Sequence, residues 1–117
     1  GQIAEAILDW MDRLPAILVD RHRIFVHAGV DETEPLDDQG EQTLLWSRPI
    51  EGYSGHYWGR HLCHGHTPAA ENPVTIGNRT NIDSGCVFGG RLTAAVFDDG
   101  RPGRPVRFIN IANRSVF

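Results

Sequence analysis

Lysine is absent: all eleven basic residues are arginines. Any cation that recognises an anion here is therefore a planar fork rather than a point charge. Cysteine is scarce, with only Cys63 and Cys86. Two cysteines cannot staple a small domain, so a reducing cytoplasm is the default expectation for this chain. No apolar run approaches the roughly 18 to 20 residues of a membrane span, and no basic-then-apolar segment opens the sequence. A membrane partner is not expected. Positive charge is in the minority, at a formal net charge of -4. That argues against a broad nucleic-acid surface and leaves room for a local anion site. Repeats and low-complexity tracts are also missing. What is present is apolar material: 40% hydrophobic residues, with three Trp and five Phe in 117 residues. Such a chain folds as one small domain and is too short for two.

Ile3, Ala4, Ala6, Ile7, Leu8, Trp10, Met11 and Leu14 recur near a helical period before Pro15, which predicts an amphipathic helix over 2–14. Residues 24–28, IFVHA, form a β-branched and aromatic run closed by Gly29, the pattern of a buried central strand. An acidic loop follows over 31–40, then a short helix over 41–47 and an aromatic-rich loop over 48–59. Strands are expected over 60–65, 74–76, 81–83, 91–97 and 106–111, the last two joined by a turn at Asp98-Asp99-Gly100 with Pro102-Gly103. The pattern is that of an α/β or α+β domain centred on a sheet.

Four segments carry chemistry. His27 ends an apolar strand and is followed by two small residues. A histidine so placed is ordinarily a core residue bonded to a carbonyl. Its alternative role is a metal ligand at the carboxyl end of a strand, where small neighbours admit close approach. In LCHGHTP, Cys63, His64 and His66 crowd around Gly65, while His22, His56 and His61 lack the spacing of a zinc knuckle partner. If residues 60–64 are extended, Leu62 and His64 share one face and His61 and Cys63 the other. In LLWSRP, two leucines and Trp46 would anchor a helix and leave Arg48 at its exit, either as a surface residue or as a bidentate phosphate clamp. In NIDSGCVFGGRLTAAVF, Gly85, Gly89 and Gly90 mark a tight turn with close backbone approach.

Taken in order, HAGV, LLWSR, HGHTP and NIDSGCVFGGRLTAAVF resemble the C-terminal half of the calcineurin-like metallophosphoesterases. Within that superfamily the chain is most similar to the bacterial branch of the PPP-type serine/threonine protein phosphatases. The resemblance runs from the first helix through Phe97. It implies the C-terminal half of a mixed β-sandwich flanked by helices, with residues 1–117 forming the C-terminal portion of a single domain.

The resemblance also implies roles. His27 and His66 would ligate the second metal of a dinuclear centre, and Arg48 would bind the substrate phosphoryl oxygens. His64 matches no ligand position and would act from behind the ligands, as would Thr67 and Asp83; Phe88 would face the substrate. Two divalent ions are implied, manganese first, with iron or zinc as alternatives. They would hold a hydroxide for in-line attack on phosphorus, and Arg48 would stabilise the charge that develops. The substrate would be a phosphoprotein or a small phosphate ester. The family's GDxHG, GDxxDRG and GNHE motifs are not in this sequence, so the remaining ligands and the general acid are expected from an N-terminal half. Alone, the chain is expected to be inactive. A symmetrical diadenosine tetraphosphate hydrolase and a non-catalytic, degenerate binding module are the alternative readings. The metal reading makes a geometric demand. The two imidazoles should end on one sheet edge, with ligating nitrogens about 3 to 3.5 Å apart when they share an ion, and Arg48 should enter the same cleft.

Overall fold

The computed structural model describes residues 3–114. Its centre is a five-stranded mixed sheet in the order β1-β2-β3-β5-β4. The strands are β1 (Ile17–Val19), β2 (Arg23–Val26), β3 (His61–His64), β4 (Val74–Ile76) and β5 (Arg79–Asn81). β2, β3 and β5 run parallel, and each flank is closed by an antiparallel strand, β1 on β2 and β4 on β5. This is the mixed α/β class that the sequence pattern implies. The apolar run over 24–28 is indeed an interior strand, although its pairing starts at Arg23 and stops at Val26.

Alternation along β3 sorts the sheet into two faces. Leu62 aligns with Ile24 and Arg79, and His64 aligns with Asn81. On that face Ile24, Val26 and Leu62 pack with Leu44 and Tyr57 to form the core. Leu44 comes from α2 (Glu41–Trp46), whose carbonyl at Leu44 accepts the Ala28 N–H at 2.9 Å. The short helix is thereby tied to the end of β2. On the opposite face, His61 Nε2 and Thr80 Oγ1 lie 2.7 Å apart, and Thr75 Oγ1 is 2.8 Å from Thr80 Oγ1. There β6 (Arg91–Val96) and β7 (Arg107–Ala112) form a separate antiparallel pair. Phe97 at the end of β6 meets Phe25 edge-on at 5.3 Å.

Three sequence expectations shift. α1 spans Glu5–Asp12, not 2–14, with Gln2 outside the described residues, and none of its residues is buried. Its apolar residues Ile7, Leu8, Trp10 and Met11 are each about half exposed. β1 was not anticipated, because three residues after a helix give too short a signal. The strand expected over 81–83 lies at Arg79–Asn81. Gly77 adopts φ +55 and turns β4 back into β5 two residues earlier than the apolar pattern suggested. The glycine-rich turn is as tight as expected: Gly85 and Gly89 are left-handed, and a Cβ on Gly90 would collide with the Ser84 carbonyl.

Candidate functional site

Because β2 and β3 are parallel, their carboxyl ends lie at one edge of the sheet, with Phe25 opposite Cys63. His27 follows β2, and Gly65 and His66 follow β3. The Gly65 N–H donates to the His27 carbonyl at 2.8 Å and fixes the two chain exits side by side. His66 then takes φ +68, a left-handed conformation that is ordinarily glycine's. Such a conformation costs on the order of 1 to 3 kcal/mol and persists where the surroundings impose it. The result is that His27 Nε2 lies 3.1 Å from His66 Nδ1, with ring centroids 4.9 Å apart. Trp46 meets His66 edge-on at 5.7 Å. Trp46 was expected to anchor α2 in the core; it is 62% exposed and braces the histidine instead.

A nitrogen separation of 3.1 Å matches two ligands on one ion at bond lengths of about 2.1 Å. It also matches a hydrogen bond between one neutral imidazole N–H and the lone pair of the other, so the pair is held with or without an ion. The donor set suits a divalent transition metal. Among the described residues no group of three or more His, Cys, Asp and Glu converges in the way a complete metal shell requires. Two histidines meet at this edge.

The neighbouring residues divide by role. His64 is buried, and its tautomer follows from its partners. Arg79 can only donate, so its Nη1 donates to His64 Nε2 at 3.0 Å, leaving Nδ1–H to donate to the Gly65 carbonyl at 2.9 Å. Burial above all, aided by the Arg79 charge, pushes its pKa down to about 4. His64 thus stays neutral and holds the peptide just before His66. Cys63 is buried, which raises its thiol to about 11. Asp83 borders the same cavity as His27 and His66, and its Oδ1 accepts the Gly85 N–H at 3.1 Å. Thr67 donates its N–H to the Gly65 carbonyl, while its buried Oγ1 has no hydrogen-bond partner among the described residues. Phe88 is 80% exposed on the Cys86–Phe88 turn.

Arg48 departs from the expectation of a single cleft. It borders the adjoining cavity with Gly29, Ser47, Tyr53 and Arg79, whereas His27 and His66 border another with Cys63, His64 and Asp83. The two cavities share no lining residue, although Gly29, in the first, is two residues past His27, in the second. The residue that sequence reasoning missed is Arg79. Its position in NRTNID carries no motif signal.

Comparison with known proteins supports the calcineurin-like superfamily that the four motifs resemble, and does not single out a serine/threonine phosphatase. No protein-family model matches the chain. The chain is similar to the asymmetrical bis(5'-nucleosyl)-tetraphosphatase PrpE of Oceanobacillus iheyensis, at 38% identity over 98 residues, covering 83% of this chain and 34% of that protein. It is 52% identical over 98 residues to the same-named protein of Geobacillus thermodenitrificans, covering 69% of this chain and 38% of that protein. With the Bacillus anthracis protein it shares 50% identity over 95 residues, 66% of this chain and 37% of the relative. The chain thus spans little more than a third of the length of these relatives.

Proposed function

We propose that this chain forms one side of a metal-dependent phosphoric ester hydrolase site, with His27 and His66 as ligands of one divalent ion and Arg48 as a phosphoryl clamp. The observation that carries this reading is the 3.1 Å approach of the two imidazole nitrogens at the carboxyl edge of β2 and β3. Divalent ions in such a site supply a hydroxide nucleophile and offset phosphoryl charge. The chain's own contribution is positional. The Gly65–His27 hydrogen bond and the His64–Gly65 contact hold both ligating side chains in place. Trp46 fixes one ring plane. The forked guanidinium of Arg48 presents two parallel donors to a phosphoryl group, which a lysine cannot do. The other ligands and the general acid would come from a preceding half of the same domain.

For the substrate, the relatives favour a dinucleoside polyphosphate over a phosphoprotein. Their names specify asymmetrical cleavage, unlike the symmetrical hydrolase considered from the sequence. In that reaction water adds across one anhydride bond and yields a nucleoside monophosphate and a triphosphate; symmetrical cleavage yields two diphosphates.

Calorimetric titration of the chain with Zn²⁺ or Mn²⁺ tests the ligand assignment. One bound ion is expected, with at least tenfold weaker binding in both His27→Ala and His66→Ala. Equal affinity in the variants would remove the pair from the site. In an active protein that carries this segment, diadenosine tetraphosphate should give a monophosphate and a triphosphate. Arg48→Lys should lower kcat/KM at least tenfold, since each charge-assisted hydrogen bond contributes about 1.5 to 3 kcal/mol.

A further inference from the structure

The cavity that Arg48 borders has a volume of about 430 Å³, within the range of small-molecule sites. Arg79, only 7% exposed, also lines it. Its Nε donates to the Tyr53 carbonyl and its Nη1 to His64, both at 3.0 Å. Among the described residues its Nη2 makes no hydrogen bond and no ion pair. Nη2 is therefore left to donate a charge-assisted hydrogen bond to an anion that enters the cavity. Arg48 sits on the same cavity and is exposed.

Two carboxylates share the space, and they differ. Glu32 spends both oxygens, Oε1 on the Tyr53 hydroxyl at 2.8 Å and Oε2 on the Tyr57 N–H at 2.9 Å. Asp31 receives the N–H and hydroxyl of Thr33 on Oδ1 alone, so Oδ2 is left to accept from a ligand. Val30, Pro49 and Ile50, the last 74% exposed, add an apolar stretch of wall beside the hydroxyls of Thr33, Thr43 and Ser47. A bare phosphate would use the guanidiniums and waste both the apolar wall and the free acceptor. A nucleoside alone would leave the buried charge unpaired.

We propose that this cavity binds one nucleoside 5'-phosphate unit. Its phosphate lies between Arg48 and Arg79, its ribose hydroxyls face Asp31, and its base rests on Val30, Pro49 and Ile50. The placement of this subsite beside the reacting phosphorus rests on the phosphoesterase reading; the chemistry of the cavity does not. Asymmetrical cleavage leaves a single phosphate between one nucleoside and the scissile bond, which suits a cavity adjoining the histidine pair.

The test is a metal-free NMR titration of the chain with adenosine 5'-monophosphate, adenosine and inorganic phosphate, following amide and arginine Nε–H signals. Adenosine 5'-monophosphate should bind at least tenfold more tightly than either part and shift the Arg79 Nε–H and the Val30 and Ile50 amides. Arg48→Ala, a change at an exposed side chain, should weaken the nucleotide at least fivefold and leave adenosine unaffected. Phosphate binding as tightly as the nucleotide, adenosine doing so, no saturable nucleotide binding, or shifts confined to His27 and His66 would each overturn the proposal. His27→Ala separates the two readings: it should lose the metal ion and keep the nucleotide. Loss of nucleotide binding in that variant would overturn the separate subsite, whatever becomes of the metal.

Discussion

Arg23 and Arg79 are both buried, both on strands, and on opposite faces of one sheet. They spend their donors differently. Arg23 places Nη1 on Asp99 Oδ1 at 3.1 Å, Nη2 on the carbonyls of Asp98 and Arg101 at 3.0 Å, and Nε on the Gly103 carbonyl at 3.3 Å. Its guanidinium also stacks 4.7 Å above the Phe97 ring. This arginine clamps the β6–β7 turn onto the central sheet with four of its five N–H groups, and each of its three nitrogens has a protein partner. Arg79 makes two hydrogen bonds to neutral acceptors and keeps one nitrogen without a partner among the described residues. Residue type and burial alone therefore do not separate a structural arginine from a binding one; counting the donors does.

The largest effect should come from the saturated arginine. Arg23→Met removes four hydrogen bonds to the distant β6–β7 turn and the stacking on Phe97, and stability should fall by roughly 3 kcal/mol. Urea denaturation reads this directly, and an unchanged midpoint would break the contrast with Arg79. Acid should act on both faces at once, because each buried arginine has a buried histidine beside it. Burial first, and the nearby guanidiniums second, hold His61 at about 4, as burial holds His64 at about 4. The unfolded chain, near 6.5, binds more protons between these values. Stability is therefore complete above pH 6.5 and is lost as pH falls towards 4. Denaturation midpoints over that range should drop, and His61→Gln should flatten the slope; a pH-independent midpoint would contradict both assignments.

Smaller effects sharpen the other side of the comparison. Arg79→Met loses two hydrogen bonds but also an uncompensated buried charge, so a net loss of about 1 kcal/mol is expected. A loss as large as that of Arg23→Met would mean that Arg79 too is structural. The smallest change concerns His66, whose left-handed backbone suits glycine. His66→Gly should leave the denaturation midpoint unchanged or raise it, while metal binding is lost.

Much of this was legible in the sequence where signals are local. α2, β4 and the Asp98–Gly103 turn lie where helix period, β-branched residues and turn residues put them. β5 slipped by two residues because Asn81-Ile82-Asp83 looks more strand-like than Arg79-Thr80-Asn81, whereas the Gly77 turn sets the register. Long-range polar partnerships were invisible. Arg23 bonds residues 75 to 80 positions away, and Arg79 reaches Tyr53 and His64. No spacing rule encodes such contacts. The histidine pair was reached through motif order, since no local structure forces His27 and His66 together. The separate cavity of Arg48 depends on how the loop after Trp46 folds, which composition does not fix.

Anomalous diffraction at the zinc absorption edge, on crystals of the chain soaked in Zn²⁺, tests the central claim most directly. The account predicts one strong peak about 2.1 Å from both His27 Nε2 and His66 Nδ1. An ordered histidine pair with no peak between its nitrogens, and zinc bound only elsewhere, would contradict it.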